Sequence, residues 1–133
     1  MPGPSRPQSR PMDTTDLHLA THGSHSNVLL VGPEAATLEA LKEIQGSLRG
    51  PVFSWPQDGA PWALPHTPPT LIVQDLAVLD QEEQERLLRW IRQVGRGPQI
   101  VSRSTEPIYP LVAERRFLED LYYRLNVVYV ECG

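Results

Sequence analysis

Short runs of β-prone residues recur along this chain, and their centres are apolar at consecutive rather than alternate positions. Asn27-Val-Leu-Leu-Val31, Thr70-Leu-Ile-Val-Gln74 and Pro98-Gln-Ile-Val-Ser102 share this character. A strand apolar on both faces needs cover on both faces, as in the middle of a parallel sheet flanked by helices. Helical patterns lie between the runs. Leu38, Leu41, Ile44 and Leu48 recur at helical spacing, with Glu39, Lys42 and Glu43 among them, and the pattern stops between Gly46 and Gly50. Asp80 and Glu83 have the spacing of a capping box, Leu87, Leu88, Ile91 and Val94 form the apolar stripe behind them, and Gly95 marks the exit. Residues 51–54 are a weak strand candidate, 107–125 read as one or two short helices, and 126–130 as a final strand. The order β-α-β-(loop)-β-α-β-α-β predicts right-handed crossovers and a three-layer α/β domain around a parallel sheet of about five strands.

At 133 residues the chain fits one domain. Residues 1–26, with Pro2, Pro4, Pro7 and Pro11 among Ser, Arg, Gln and Thr, read as a disordered tail, and residues 27–133 as the folded domain. His18, His22 and His25 lie close together in the tail, but no Cys or carboxylate completes a ligand set, so no metal is expected. The formal charge is −4 and no Lys/Arg cluster stands out, which argues against autonomous DNA binding, since such binding draws on phosphate neutralisation. The apolar runs are strand-sized, far short of a membrane span, and the N-terminus lacks the apolar region of a secretory signal. One cysteine, Cys132, cannot form an internal disulfide, and a cytoplasmic location is expected. Residues 55–69 carry five prolines, Pro56, Pro61, Pro65, Pro68 and Pro69, and read as a loop. Its Trp55 and Trp62 are candidates either for an exposed interaction surface or for packing over the sheet edge.

The most specific stretch is Phe117-Leu-Glu-Asp-Leu-Tyr-Tyr-Arg-Leu-Asn-Val127. It resembles the F-R-x-D-L-Y-x-R-L-N-V stretch of the AAA+ (sigma-54 interaction) domain of bacterial sigma-54-dependent transcriptional activators, with Leu118 in place of the first Arg. Four further segments fall into register. Thr70-Leu-Ile-Val-Gln-Asp-Leu-Ala77 is similar to the family's G-T-L-F-L-D-E-I-G Walker B strand, and Gln84-Glu-Arg-Leu-Leu-Arg89 to its Q-x-R-L-L-R helix. Gln99-Ile-Val-Ser-Arg-Ser104 stands where the family has R-I-I-A-A-T, and Asn27-Val-Leu-Leu-Val-Gly32 where V-L-I-x-G leads into the phosphate loop. The resemblance covers residues 27 to 130 and implies a P-loop NTPase (AAA+)-like core, with ATP and Mg²⁺ as the family's cofactors.

The chemistry implied by that family is not matched by these residues. A P-loop closes glycine N–H groups around phosphate oxygens while a Lys meets the β and γ charges. Mg²⁺ then takes a Ser/Thr hydroxyl and the Walker B carboxylate. In this chain the loop segment is Gly32-Pro-Glu-Ala-Ala-Thr-Leu-Glu39, so ungapped alignment puts Leu38 at the Lys, Ala35 and Thr37 at two glycines, Pro33 where an N–H is lost, and Glu34 as an added negative charge. At Walker B, Gln74 replaces the metal-side Asp, and Asp75 replaces the Glu that polarises water. Ser104 takes the sensor position. Gly32, Leu38, Gln74, Asp75 and Ser104 thus outline a vestigial nucleotide site, and neither ATPase activity nor a bound cofactor is expected. Arg124 matches the family's second finger-region Arg, which acts on a neighbouring subunit; its alternative is a salt bridge to Asp120 or Glu119. The family's GAFTGA loop has no counterpart between Gly32 and Gln74, and a core without the helical lid subdomain is expected. The expectation is a non-catalytic regulatory or interaction module whose partner is a sigma-54 activator or a second copy of itself. The alternatives are an ATP-binding domain with an atypical site and, more distantly, a degenerate receiver domain, which lacks both an acidic pair after the first strand and a place for the 117–127 match.

Overall fold

Five parallel strands form one sheet in the order β2-β3-β4-β1-β5. The computed structural model describes residues 26–56, 64–66 and 68–133. The tail reading, with its three histidines, and the reading of Trp62 lie outside the described residues. The strands are β1 (Val28–Val31), β2 (Val52–Trp55), β3 (Thr70–Val73), β4 (Gln99–Ser104) and β5 (Val128–Glu131). The helices are α1 (Glu34–Gln45), α2 (Gln81–Val94), α3 (Tyr109–Ala113) and α4 (Glu119–Leu125), with a 3₁₀ turn at Leu76–Val78. Every strand of β1, β3 and β4 is buried throughout, which accounts for their unbroken apolar runs.

The two faces of the sheet carry separate clusters. Leu29, Val31, Leu71, Val73 and Ile100 pack with Leu87, Leu88 and Ile91 of α2 and Leu121 and Leu125 of α4. On the opposite face Val28, Leu30, Ile72, Val101 and Val130 meet Leu41, Ile44 and Leu48 from α1 and the turn after it. Each such side chain contributes roughly 1.5–3 kcal/mol by leaving water. The segment between β2 and β3 shows no helix among its described residues. Leu64 packs against the first cluster, and the Trp90 indole N–H donates to the Pro65 carbonyl at 2.7 Å, so part of this loop is fastened to α2.

The expected capping box is present. The Asp80 carboxylate accepts from the Glu83 N–H at 2.8 Å, and Glu83 accepts from the Asp80 N–H at 2.9 Å. Gln84, the first residue of the Q-x-R-L-L-R segment, is buried and has a packing role. Its amide donates to the carbonyls of Leu79 and Arg116 and accepts from the Leu118 N–H, which ties α2 to the chain entering α4. Those backbone groups have no helix or strand partner of their own, so the Gln side chain satisfies an irregular stretch that would otherwise be buried unpaired.

One boundary differs from the sequence reading. Residues 34–39, read as part of a phosphate loop, belong to α1. Pro33 sits at the cap position with φ −53° and ψ 150°, Ala35 and Ala36 are strong helix formers, and the Glu34 carboxylate complements the positive end of the helix dipole.

Candidate functional site

In a parallel α/β sheet, ligands bind beyond the carboxyl ends of the strands, where neighbouring connections diverge. Here β4 lies between β1 and β3, and the register brings Val31 beside Ser104 and Val73 beside Ser102. Gly32, Gln74 and Ser104 therefore meet at one end of the sheet, as the sequence reading requires of a nucleotide site.

The cleft there is closed from three sides. The connection from β1 to α1 is only Gly32 and Pro33. Neither offers an N–H to a ligand: Gly32 donates its own to the Ser104 carbonyl at 3.0 Å, and proline has none. A Cβ at Gly32 would collide with the Cys132 carbonyl oxygen, so a side-chain-free residue is required by the close approach of β5. Beyond β5, a Cβ on Gly133 would lie 3.2 Å from the Pro33 ring and 3.9 Å from the Ala36 methyl, so the strand's exit crowds the turn. Burial pushes the Cys132 thiol pKa up.

From within, the cleft is filled by a residue that sequence reasoning missed. Arg103 on β4 is only 6% exposed. Its Nε donates to Thr37 Oγ1 at 3.2 Å, and one terminal nitrogen donates to the Gln74 carbonyl at 2.7 Å and to Gln74 Oε1 at 3.2 Å. Thr37 is fully buried and also donates its hydroxyl to the Glu34 carbonyl. The available signal was an arginine inside a strand otherwise buried on both faces.

The remaining site residues are placed as follows. Leu38, at the aligned Lys position, is 42% exposed; the inward-facing residue of this helical turn is its neighbour Thr37. Asp75 caps the 3₁₀ turn, accepting from the Ala77 N–H at 3.3 Å. The Ser104 hydroxyl is engaged with its own loop, donating to the Glu106 carbonyl and accepting the Glu106 N–H. Arg124 pairs with Asp120 at 2.9 Å and borders a hollow with Asn27, Ile91, Arg96 and Val127, near the opposite ends of the strands. Arg92 shares Asp120, and the two guanidinium groups hold that carboxyl below its ordinary range. Trp55 is not an exposed aromatic: it is fully buried in the first cluster, because β2 turns it onto the face covered by α2. The exposed aromatics among the described residues are Phe53, Tyr109, Tyr123 and Tyr129.

A triphosphate with Mg²⁺ does not fit this arrangement. Gly32 and Pro33 offer no N–H, the Lys position is an exposed Leu, and a guanidinium occupies the space between Thr37 and Gln74. Among the described residues, no group of three His, Cys, Asp or Glu side chains gathers.

No protein-family model matches the sequence, and no curated protein matches it. Solved structures do. NtrX from Brucella abortus in complex with ATP matches with a TM-score of 0.71 and 19% identity, over 90% of this chain and 34% of that one. The ADP complex of the same protein gives 0.67 and 18%, over 89% and 34%. The P-loop NTPase domain of the sigma-54 transport activator from E. coli gives 0.60 and 15%, over 90% of this chain and 93% of that domain. The fold is that of a P-loop NTPase domain. The chain spans about a third of the NtrX chains and nearly all of the E. coli domain. No described helix is long and apolar enough to cross a membrane.

Proposed function

We propose that this domain is a non-catalytic relative of the sigma-54 activator core, working in the cytoplasm as a regulatory, protein-interaction module in bacterial transcription regulation. The observation that carries this reading is the two-residue connection between β1 and α1, which leaves no loop to surround phosphates. A scaffold retained without its phosphate loop still offers surfaces. Half-exposed Tyr109 and Tyr123, on α3 and α4, carry the kind of rigid amphipathic area on which protein interfaces draw. The partner in this reading is a full sigma-54 activator or a second copy of this chain, and DNA is not bound directly.

The test is sedimentation of the purified protein alone and mixed with a full-length sigma-54 activator. The expected result is a species heavier than the monomer in one of the two samples, weakened by the double substitution Tyr109→Ala, Tyr123→Ala. A monomer under both conditions contradicts the reading. A second reading, an ATP-binding domain with an atypical site, is favoured only by the likeness to the ATP complex of NtrX.

A further inference from the structure

We infer that the guanidinium of Arg103 is a built-in substitute for a bound cation, one that ties α1 to the end of β3 from within and closes the cleft without a ligand. The inference rests on the reading of this domain as one that takes no nucleotide, and it explains how such a domain holds its shape.

In P-loop proteins Mg²⁺ sits between a hydroxyl from the first helix and the Walker B side chain, drawing those two elements together when nucleotide is bound. The same two elements are drawn together here by a different cation. The hydroxyl comes from Thr37 on α1 and the second side chain is Gln74 at the Walker B position, and both turn oxygens onto Arg103. The backbone carbonyl of Gln74 adds a third oxygen, at 2.7 Å. Arg103 stands where the resembled motif has Ala, which has no reach to either partner.

The charge balance sets this bridge apart from an ordinary buried ion pair. None of the ion pairs among the described residues includes Arg103. The nearest carboxylate in sequence to its partner, Asp75, is committed to capping the 3₁₀ turn. A guanidinium cannot shed its proton, so among the described residues its burial is offset by these neutral oxygens alone. Charge-assisted hydrogen bonds are stronger than neutral ones, and losing them frees both ends of the bridge at once. A ligand-switched domain alternates between tied and untied states; a domain carrying its own cation is permanently tied.

The measurement is amide hydrogen exchange on wild type and Arg103→Gln, each with and without Mg-ATP. The neutral, shorter Gln cannot span Thr37 and Gln74. Residues 37–41 and 74–79, far apart in sequence, are expected to exchange together about tenfold faster in the variant, while α4, across the sheet from α1, keeps its wild-type rates. Unchanged rates in those two segments, or an equal acceleration of every segment, overturn the inference. If Arg103→Gln does not fold, Thr37→Val removes one acceptor of the bridge and is expected to speed the same two segments about threefold; unchanged rates there overturn it equally. Slower exchange of residues 34–38 in wild type on adding Mg-ATP overturns the nucleotide-free reading itself. Normal rates in Arg103→Gln with Mg-ATP inert overturn the internal cation alone.

Discussion

Residues 117–130 and residues 32–38 belong to one sheet and its helices, yet they are made for different tasks. In the first segment Phe117, Leu121, Tyr122, Leu125 and Val130 are buried in the two clusters. In the second only Thr37 is buried, and Pro33, Glu34, Ala35 and Leu38 face solvent. The first segment matches the sigma-54 activator pattern almost residue for residue, and the second departs from it at each position that would handle nucleotide. Packing explains the contrast. A motif whose side chains fill a core cannot change without leaving cavities. A phosphate loop contributes contacts to its ligand and little to the fold, so a tight turn into a helix replaces it without cost to the core.

The comparison breaks most sharply at Leu121. Leu121→Ala removes a fully buried side chain from the cluster under α4, and a loss of about 3 kcal/mol in unfolding free energy by urea titration is expected. A loss below about 1 kcal/mol would mean that this segment is not held by packing. Next comes Gln84→Met, which keeps the volume but strands the Leu118 N–H and two carbonyls; about 2 kcal/mol should be lost in the same titration. An unchanged midpoint would show that water satisfies these groups and that Gln84 is not the tie between α2 and α4.

Much of this was legible beforehand, for physical reasons. The runs in β1, β3 and β4 are apolar because both faces are covered, and Asp80 with Glu83 announces a helix start through a local hydrogen-bond exchange, so strands and caps could be read from adjacent residues. The cleft was less legible. Aligning residues 32–39 as a loop assumed a loop length, whereas Pro33, Ala35 and Ala36 start a helix at once. Arg103 was passed over because its partners lie 66 and 29 positions away in sequence, and no local pattern encodes such a meeting. Trp55 stayed open between an exposed surface and packing over the sheet edge because the prolines following it read as loop; its burial depends on which face of β2 it takes.

The other side of the comparison is sharpened by Leu38→Lys, which restores the residue the pattern asks for. Leu38 is exposed, so stability should change by less than about 0.5 kcal/mol, and Mg-ATP should still produce no binding heat. Measurable binding would show that one side chain, and not the whole turn, decides whether nucleotide is taken. The smallest effect is expected at Asp120, an exposed carboxyl whose pKa is lowered by hydrogen bonds from Arg92 and Arg124. A depressed folded-state value means its contribution is present above the ordinary Asp pKa of about 3.9 and fades as pH falls through the folded-state value. Asp120→Asn should therefore be slightly less stable than wild type at neutral pH, with the gap closing in acid. A gap that persists at low pH would assign the effect to something other than these ion pairs.

The central claim, that the cleft is filled by the chain itself and takes no nucleotide, is tested most directly by titrating the wild-type protein with Mg-ATP into the millimolar range while following thermal unfolding and binding heat together. A ligand that binds only the folded state must raise the melting temperature by mass action. The account predicts a flat melting temperature and no binding heat. A saturable, Mg²⁺-dependent rise would contradict it, because it would require Arg103 to leave Thr37 and Gln74 and the two-residue turn to open.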